Sequence, residues 1–381
     1  MSSGFPRARV GMLLNALHFG GAEQLVVNLL RHWRHDAKAD VVVIVLRGGG
    51  ALEPVVRQMG WPIRALEGRY RADPSAVTRL IALLRRERIE LLHAHLPRSG
   101  ALGGVASRWC EIPTLYTEHS CWTTYHFHRV TQLAHRFCLP LHREVVAVSQ
   151  EVLKHVVQQF PSLAGRVTVI ENGVPVEVLT AHSVSRAAVR AHLGLTEDES
   201  LILNVANLRA VKNQAGLIRA FALLPPHIRT SSRLLIVGRD DGEGHALRIL
   251  LDRLGLDSRV WITGPAHNVP QLMAASDVFV LPSIVEGLPT VLLEAGALAR
   301  PCIATRVGGV PNIISSDKHG WLVEPHDDEA LATAIREALA DRAQAAIRGG
   351  TLGKRVQERF SIEHVADEYQ AIFQRMLSRP S

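Results

Sequence analysis

The chain has 381 residues, 47% of them hydrophobic and 21% charged, a balance that fits a soluble globular protein and excludes a disordered or fibrous one. That length is long for a single core, so two domains are expected, and no apolar run nears the ~18–20 residues that a bilayer crossing needs. The formal charge of +7 is one-sided, because residues 1–180 carry 21 Lys and Arg against 14 Asp and Glu while the remainder holds 22 of each.

In chain order, short β-branched runs bounded by turn residues predict buried strands at 9–15 (RVGMLLN), 40–46, 89–95 (IELLHAH), 114–119 (TLYTEH), 144–149 and 167–172. Between them, segments such as 22–33 and 74–88 repeat apolar residues at three- and four-residue spacing, as helices do. The second half repeats the alternation, with strands at 200–207, 232–238, 259–264, 277–283 and 301–305. Strands that are apolar throughout, each followed by a helix, indicate parallel sheets covered on both faces. The reading is α/β: two Rossmann-like, doubly wound parallel-sheet domains facing across a cleft. The first spans 1–180 and the second 181–360, with a join near 174–186, and a last helix within 361–381 crosses back to the first domain.

Several chemistries fail on spacing. RGGGALE (47–53) lacks the third glycine of a dinucleotide fingerprint, no GxxxxGK[ST] occurs, and there is no GxSxG elbow. Cys110, Cys121, Cys138 and Cys302 form no CxxC pair, and His93 and His95 have no carboxylate or thiol nearby at ligand spacing. No metal site is expected. The N-terminus MSSGFPRARVGMLLNAL lacks the apolar core and cleavage site of a leader peptide, so a cytoplasmic protein is expected.

Ligands of open parallel sheets sit at the carboxyl ends of strands, and four features fall there. FGGAEQ (19–24) puts Gly20 and Gly21 before a helix start, which suits either an anion or a plain tight turn. ANLRAVKNQ (206–214) sends Arg209 and Lys212 off a strand end together, a fork and a point charge fit for a diphosphate or a solvated basic turn. YTEHS (116–120) places Glu118 and His119 at a strand tip, where the histidine handles protons or packs. SIVEGLPTVLLEA (283–295) sets Glu286 in a loop and Glu294 inside the helix expected from Pro289 to Ala299. Paired carboxylates suit a polyol, and the amides of Thr290 and Val291 a phosphate; a capping acid plus a buried structural acid would look the same.

Taken together with HAH (93–95), VIENGV (169–174), SDVFVLPS (276–283) and VGGVPNII (307–314), these stretches resemble the retaining glycosyltransferases of family 4, over nearly the whole chain. The resemblance implies the GT-B fold and transfer of a sugar from a nucleotide-sugar to an acceptor with retention of anomeric configuration. It implies that Arg209 and Lys212 grip the donor diphosphate, Glu294 binds the ribose and Glu286 binds the transferred sugar. Gly287, Leu288, Thr290 and Val291 would line the donor, His119 the sugar, and the Gly20–Gly21 turn the phosphates. It implies no metal and no cofactor beyond the nucleotide-sugar co-substrate, a UDP-hexose or UDP-N-acetylhexosamine. The acceptor would be a glycan or a lipid-linked one in bacterial surface polysaccharide or glycolipid synthesis, with no nucleic-acid partner. The basic first domain is then either a solvated, arginine-rich surface or one that touches an anionic membrane from the cytoplasmic side. Alternatives on the same fold are a nucleotide-sugar epimerase and a catalytically silent binding subunit. Pro289, where the family often has glycine, and Asn312, where it often has an acid, depart from the pattern.

Overall fold

The structure is a computed structural model, and it describes residues 8–36, 40–67, 73, 75–121, 129–181 and 185–378. Residues 1–7 of the leader reading and 182–184 of the expected join lie outside the described residues. The chain divides into two compact units, one of residues up to Gly173 together with those from Ile362 onward, the other Val174–Ser361.

The first unit holds a parallel sheet of β1 (Arg9–Leu14), β2 (Asp40–Val45), β3 (Ile63–Ala65), β4 (Leu91–His95), β5 (Thr114–Glu118), β6 (Glu144–Ala147) and β7 (Val167–Val169). Their spatial order is β3-β2-β1-β4-β5-β6-β7. The second holds β8 (Ser200–Val205), β9 (Ser232–Val237), β10 (Val260–Thr263), β11 (Val278–Leu281), β12 (Cys302–Thr305) and β13 (Trp321–Val323), in the order β10-β9-β8-β11-β12-β13. Every pairing in both sheets is parallel. Parallel strands need crossovers, and these are right-handed almost without exception. Reversing the direction of travel therefore moves the helices to the other face, and the strand order reverses between β1 and β4 and between β8 and β11. With both faces covered, β2 can be apolar at five successive positions, all buried.

Two strands escape the sequence pattern. β3 (IRA) and β13 (WLV) are three-residue edge strands, too short to show a hydrophobic run. The helix expected to begin at Pro289 begins one residue later and is shorter, Thr290–Ala297. Pro289 itself is extended (φ −73°, ψ 111°) and stands as its cap.

The C-terminal helix Ile362–Ser378 belongs to the first unit. Its Val365, Tyr369, Ile372, Phe373 and Met376 recur every three or four residues, and all are buried with Trp33 and the strands of the first sheet. The Trp33 and Phe373 rings lie 5.8 Å apart. The second core gathers Leu217, Phe221, Ile236, Val280, Ile303 and Ile335. At the amino end of β11, Asp277 accepts the Leu201 amide at 2.7 Å and pairs with Arg186 (2.6 Å) and Arg190 (3.1 Å), which pins β11 beside β8. Among the described residues no helix is long and apolar enough to cross a membrane.

Because Phe373 is buried against Trp33, Phe373→Ala is expected to cost about 3–5 kcal/mol in urea unfolding of the first unit's transition. Ile347→Ala, at an exposed position, is expected to stay within about 0.5 kcal/mol. Equal midpoints for the two variants would refute this placement of the C-terminal helix.

Candidate active site

The loops that leave β8 and β11, the two strands at the order reversal, carry the residues of interest in the second unit. The β8 loop bends where Gly238 lets the backbones touch, since a Cβ there would lie 2.0 Å from the Ala206 carbonyl oxygen. After the turn Ala210–Lys212, Asn213 takes φ +51°, a conformation Asn tolerates, and its Oδ1 accepts the Gly216 amide at 3.2 Å. This reversal starts the helix Gln214–Ala222 and leaves Arg209 and Lys212 on the preceding loop.

The β11 loop is tied to it directly. The Ile284 amide donates to the Val211 carbonyl at 2.8 Å, and Lys212 Nζ donates to Glu286 Oε1 at 2.6 Å. Glu286 is buried, so this is an ion pair largely withdrawn from water, and each charge depends on the other. A third loop, after β12, buttresses it. Gly308 has φ +50°, a Cβ on it would sit 2.0 Å from the Glu286 carbonyl oxygen, and the Gly309 amide donates to the Gly287 carbonyl at 2.6 Å. Thr305 adds a hydroxyl bond to the Ser283 carbonyl.

Arg209 Nε donates to Asp241 Oδ2 at 2.8 Å, and Arg239 donates to Asp241 Oδ1 at 2.7 Å. Hydrogen bonds from Arg239 and then Arg209 hold the Asp241 carboxyl below the usual range, so it stays anionic against its burial. In the helix Thr290–Ala297, the Thr290 and Val291 amides belong to the first turn, which has no carbonyl of its own helix to meet. Thr290 and Glu294 are four apart and share a face of that helix. Part of the Glu294 surface reaches solvent, yet among the described residues nothing donates to its carboxylate. Desolvation raises its pKa to about 7.

Arg209, Lys212, Glu286, Gly287, Leu288, Thr290, Val291 and Glu294 thus all lie on the β8 and β11 loops and the helix after β11. Gly20, Gly21 and His119 belong to the first unit. Gly21 opens the helix Gly21–Asp36 and the Gly20 carbonyl accepts the Gln24 amide at 2.9 Å. His119 follows β5, its Nε2 3.0 Å from Nδ1 of His95, and burial lowers its pKa to about 3. Glu118 turns inward: it is buried, 3.1 Å from His135 Nε2, and accepts from the Tyr116 hydroxyl at 3.4 Å. The RGGG turn is closed by its own acid, Glu53 Oε1 accepting the Gly49 and Gly50 amides at 2.7 and 3.3 Å, so those amides are not offered to a ligand.

Sequence reasoning missed Asp241 as the partner of Arg209, although it stands just past the end of β9 and the strand-end criterion would have found it. It also missed the pairing of Lys212 with Glu286, which no spacing reveals.

The family model for glycosyl transferases group 1 matches residues 185–351, and that for glycosyltransferase family 4 matches residues 19–178. The chain is 30% identical over 305 residues to D-inositol 3-phosphate glycosyltransferase of Mycolicibacterium smegmatis, covering 76% of this chain and 68% of that one. It is 24% identical over 277 residues to UDP-Gal:alpha-D-GlcNAc-diphosphoundecaprenol alpha-1,3-galactosyltransferase of Escherichia coli, with 71% of each covered. The chain spans from 48% to 96% of the length of curated relatives it matches. Anabaena HepE in complex with UDP-glucose superposes with a TM-score of 0.85 at 24% identity, covering 96% of this chain and 99% of that one, so the fold is GT-B.

Burial raises the Glu294 pKa from 4.5 to about 7, so the folded chain holds this proton more tightly than the unfolded chain does. Stability from the protonated form is present at low pH and lost as pH rises through about 7. Glu294→Gln is therefore expected to raise Tm relative to wild type at about pH 8 and to change it little at about pH 5. The same Tm difference at both pH values would refute a Glu294 carboxyl whose ionisation desolvation opposes.

Proposed function

The chain belongs to the family 4 glycosyltransferases, and from that premise we propose that it moves a hexose or N-acetylhexosamine from a UDP-sugar to a lipid-linked or glycan acceptor, with retention and without a metal ion. The observation that carries this is the Lys212–Glu286 pair, 2.6 Å long, on two loops at the strand-order reversal. A cation that must bind phosphate and an acid that must bind hydroxyls satisfy each other while the donor is absent. The donor offers each a better partner: its diphosphate takes Lys212 and Arg209, and the sugar hydroxyls take Glu286.

The Thr290 and Val291 amides then meet phosphate oxygens at a helix start, and Glu294 takes the ribose hydroxyls. Two hydroxyl donors favour the ionised acid, which relieves the cost of its burial. Breaking the anomeric C1–O bond sends its electron pair to the diphosphate, and Arg209 and Lys212 stabilise the charge that develops there. The acceptor hydroxyl attacks the same face, and its proton passes to the departing phosphate oxygen, so no base from the chain is required. The roles of His119 at the sugar and of the Gly20–Gly21 turn at the phosphates rest on the family resemblance.

A lipid-linked acceptor is favoured by one surface of the first unit. Leu133, Phe137 and Leu141 are exposed at four-residue spacing along the helix Arg129–Cys138 and the turn Leu139–Leu141, while His135 and Leu139 are buried. Residues 129–143 hold three arginines and no acid, and so the stripe reads as an interfacial face for an anionic bilayer. The helix packed on it, Pro97–Cys110, adds two arginines, no acid and the exposed Trp109.

Lys212→Ala and Arg209→Ala are expected to lower kcat about 10²–10³-fold with KM changed only a few-fold, and EDTA to have no effect. Glu286→Gln is expected to leave a folded but nearly inactive protein. Losses confined to KM would point to uniform binding instead, and wild-type activity in Glu286→Gln would remove the role assigned to that acid. Vesicles containing anionic lipid are expected to sediment the wild type at low salt and to release Phe137→Glu; identical sedimentation of both would dismiss the membrane face.

A further inference from the structure

The first unit places three imidazoles side by side at the ends of two adjacent strands. His93 and His95 leave β4 on the same side, with ring centroids 4.1 Å apart, and both are fully buried. His95 Nδ1 lies 3.0 Å from Nε2 of the partly exposed His119, which follows β5. The other nitrogen of His95, Nε2, is buried and has no hydrogen-bond partner among the described residues. His93 shows the same asymmetry, its Nε2 2.8 Å from the Thr117 hydroxyl and its Nδ1 buried with no partner among the described residues.

These contacts can be resolved by counting protons. Burial keeps both His95 and His119 neutral near pH 7, so each ring carries one N–H. The 3.0 Å contact needs one hydrogen and one lone pair. If His119 donates, the single proton of His95 sits on Nε2, where it is a buried N–H without an acceptor. If His95 donates, the orphan on Nε2 is only a lone pair. Orphaned buried N–H groups are the rarer and costlier kind, so His95 donates from Nδ1.

We infer that His95 is a positioning residue that fixes the tautomer of His119, so that His119 carries its proton on Nδ1 and offers an N–H rather than a lone pair. The backbone at His95 is held for this. Leu96 has φ 70° and ψ 147°, a conformation costly for any residue with a Cβ. Pro97 follows it at once, and the Ser99 hydroxyl donates to the His95 carbonyl. Strain retained next to a hydrogen-bonded, buried ring shows that the ring's direction is over-determined. A histidine in this state donates to a hydroxyl or carbonyl oxygen and cannot remove a proton. His119 is then an orienting donor and not a general base. For its effect on turnover, though not for the tautomer itself, the inference rests on the proposed transferase reading.

The test uses the full chain with 15N-labelled histidine, whose long-range proton–nitrogen spectra distinguish the two tautomers. The expected result is that His119 has a protonated Nδ1 in the wild type and in His95→Asn, where the side-chain amide replaces the donor. In His95→Leu the proton of His119 is expected to move to Nε2. Turnover should fall about tenfold or more in His95→Leu, with KM little changed, and recover to within a few-fold in His95→Asn, as for outer partners of a functional histidine. A wild-type His119 protonated on Nε2, or an unchanged tautomer in His95→Leu, overturns the inference. Should His95→Leu not fold, the wild-type and His95→Asn spectra still decide. Full activity in His119→Ala with the expected spectra would remove the role proposed for His119 while leaving the tautomer assignment standing.

Discussion

Parallel strands can only be joined by crossovers that run back over the sheet, and their fixed hand is the constraint on which this protein rests. While successive strands add on one side, the helices stay on one face. When β11 takes the other side of β8, the helices change face and the loops after β8 and β11 part at the sheet's carboxyl edge. Arg209 and Lys212 stand on one of those loops and Glu286 on the other. Backbone contacts then set the spacing between them, the Ile284 amide reaching Val211 and Gly309 reaching Gly287. Only glycine at 308 allows the β12 loop to press so closely on the Glu286 carbonyl.

Charges placed there must be stable before any ligand arrives. Lys212 with Glu286, and Arg209 with Asp241, meet that need by pairing. Removing Lys212 would leave the buried Glu286 carboxylate without this cation, which is why such pairs tolerate exchange for a ligand but not simple loss. Glu294 is the exception, an acid to which no described residue donates and whose ionisation burial opposes. Its position one turn beyond Thr290, on the same helix face, is what the proposed role as a receptor for donor hydroxyls uses.

The first unit uses burial differently. His93, His95, His119 and His142 are all pushed toward the neutral form by desolvation, so these four rings are polar yet uncharged. Neutral imidazoles can be both donor and acceptor, and the bonds from His95 to His119 and from His93 through Thr117 to Tyr369 link the strand ends to the C-terminal helix. That helix is therefore packed into the unit by Phe373 and Met376 and also joined to its polar network by Tyr369.

The alternation of apolar runs and helical periods was enough to establish two parallel-sheet blocks, because strands covered on both faces are mostly apolar and so write themselves plainly in DVVVIV or VFVL. The three-residue edges β3 and β13 were not legible, since so few residues carry no period. Strand-end position likewise marked Arg209, Lys212 and Glu286 as candidates, and paired acids around a helix start marked a polyol and a phosphate. What they meet was decided only by tertiary structure: that Lys212 meets Glu286, that Arg209 meets Asp241, that Glu118 turns inward to His135 and that His119 is held by His95. The physical reason is common to all four. A sequence records which strand a side chain leaves, but hydrogen bonds act over about 3 Å, and which ends come that close depends on the order in which strands are laid side by side.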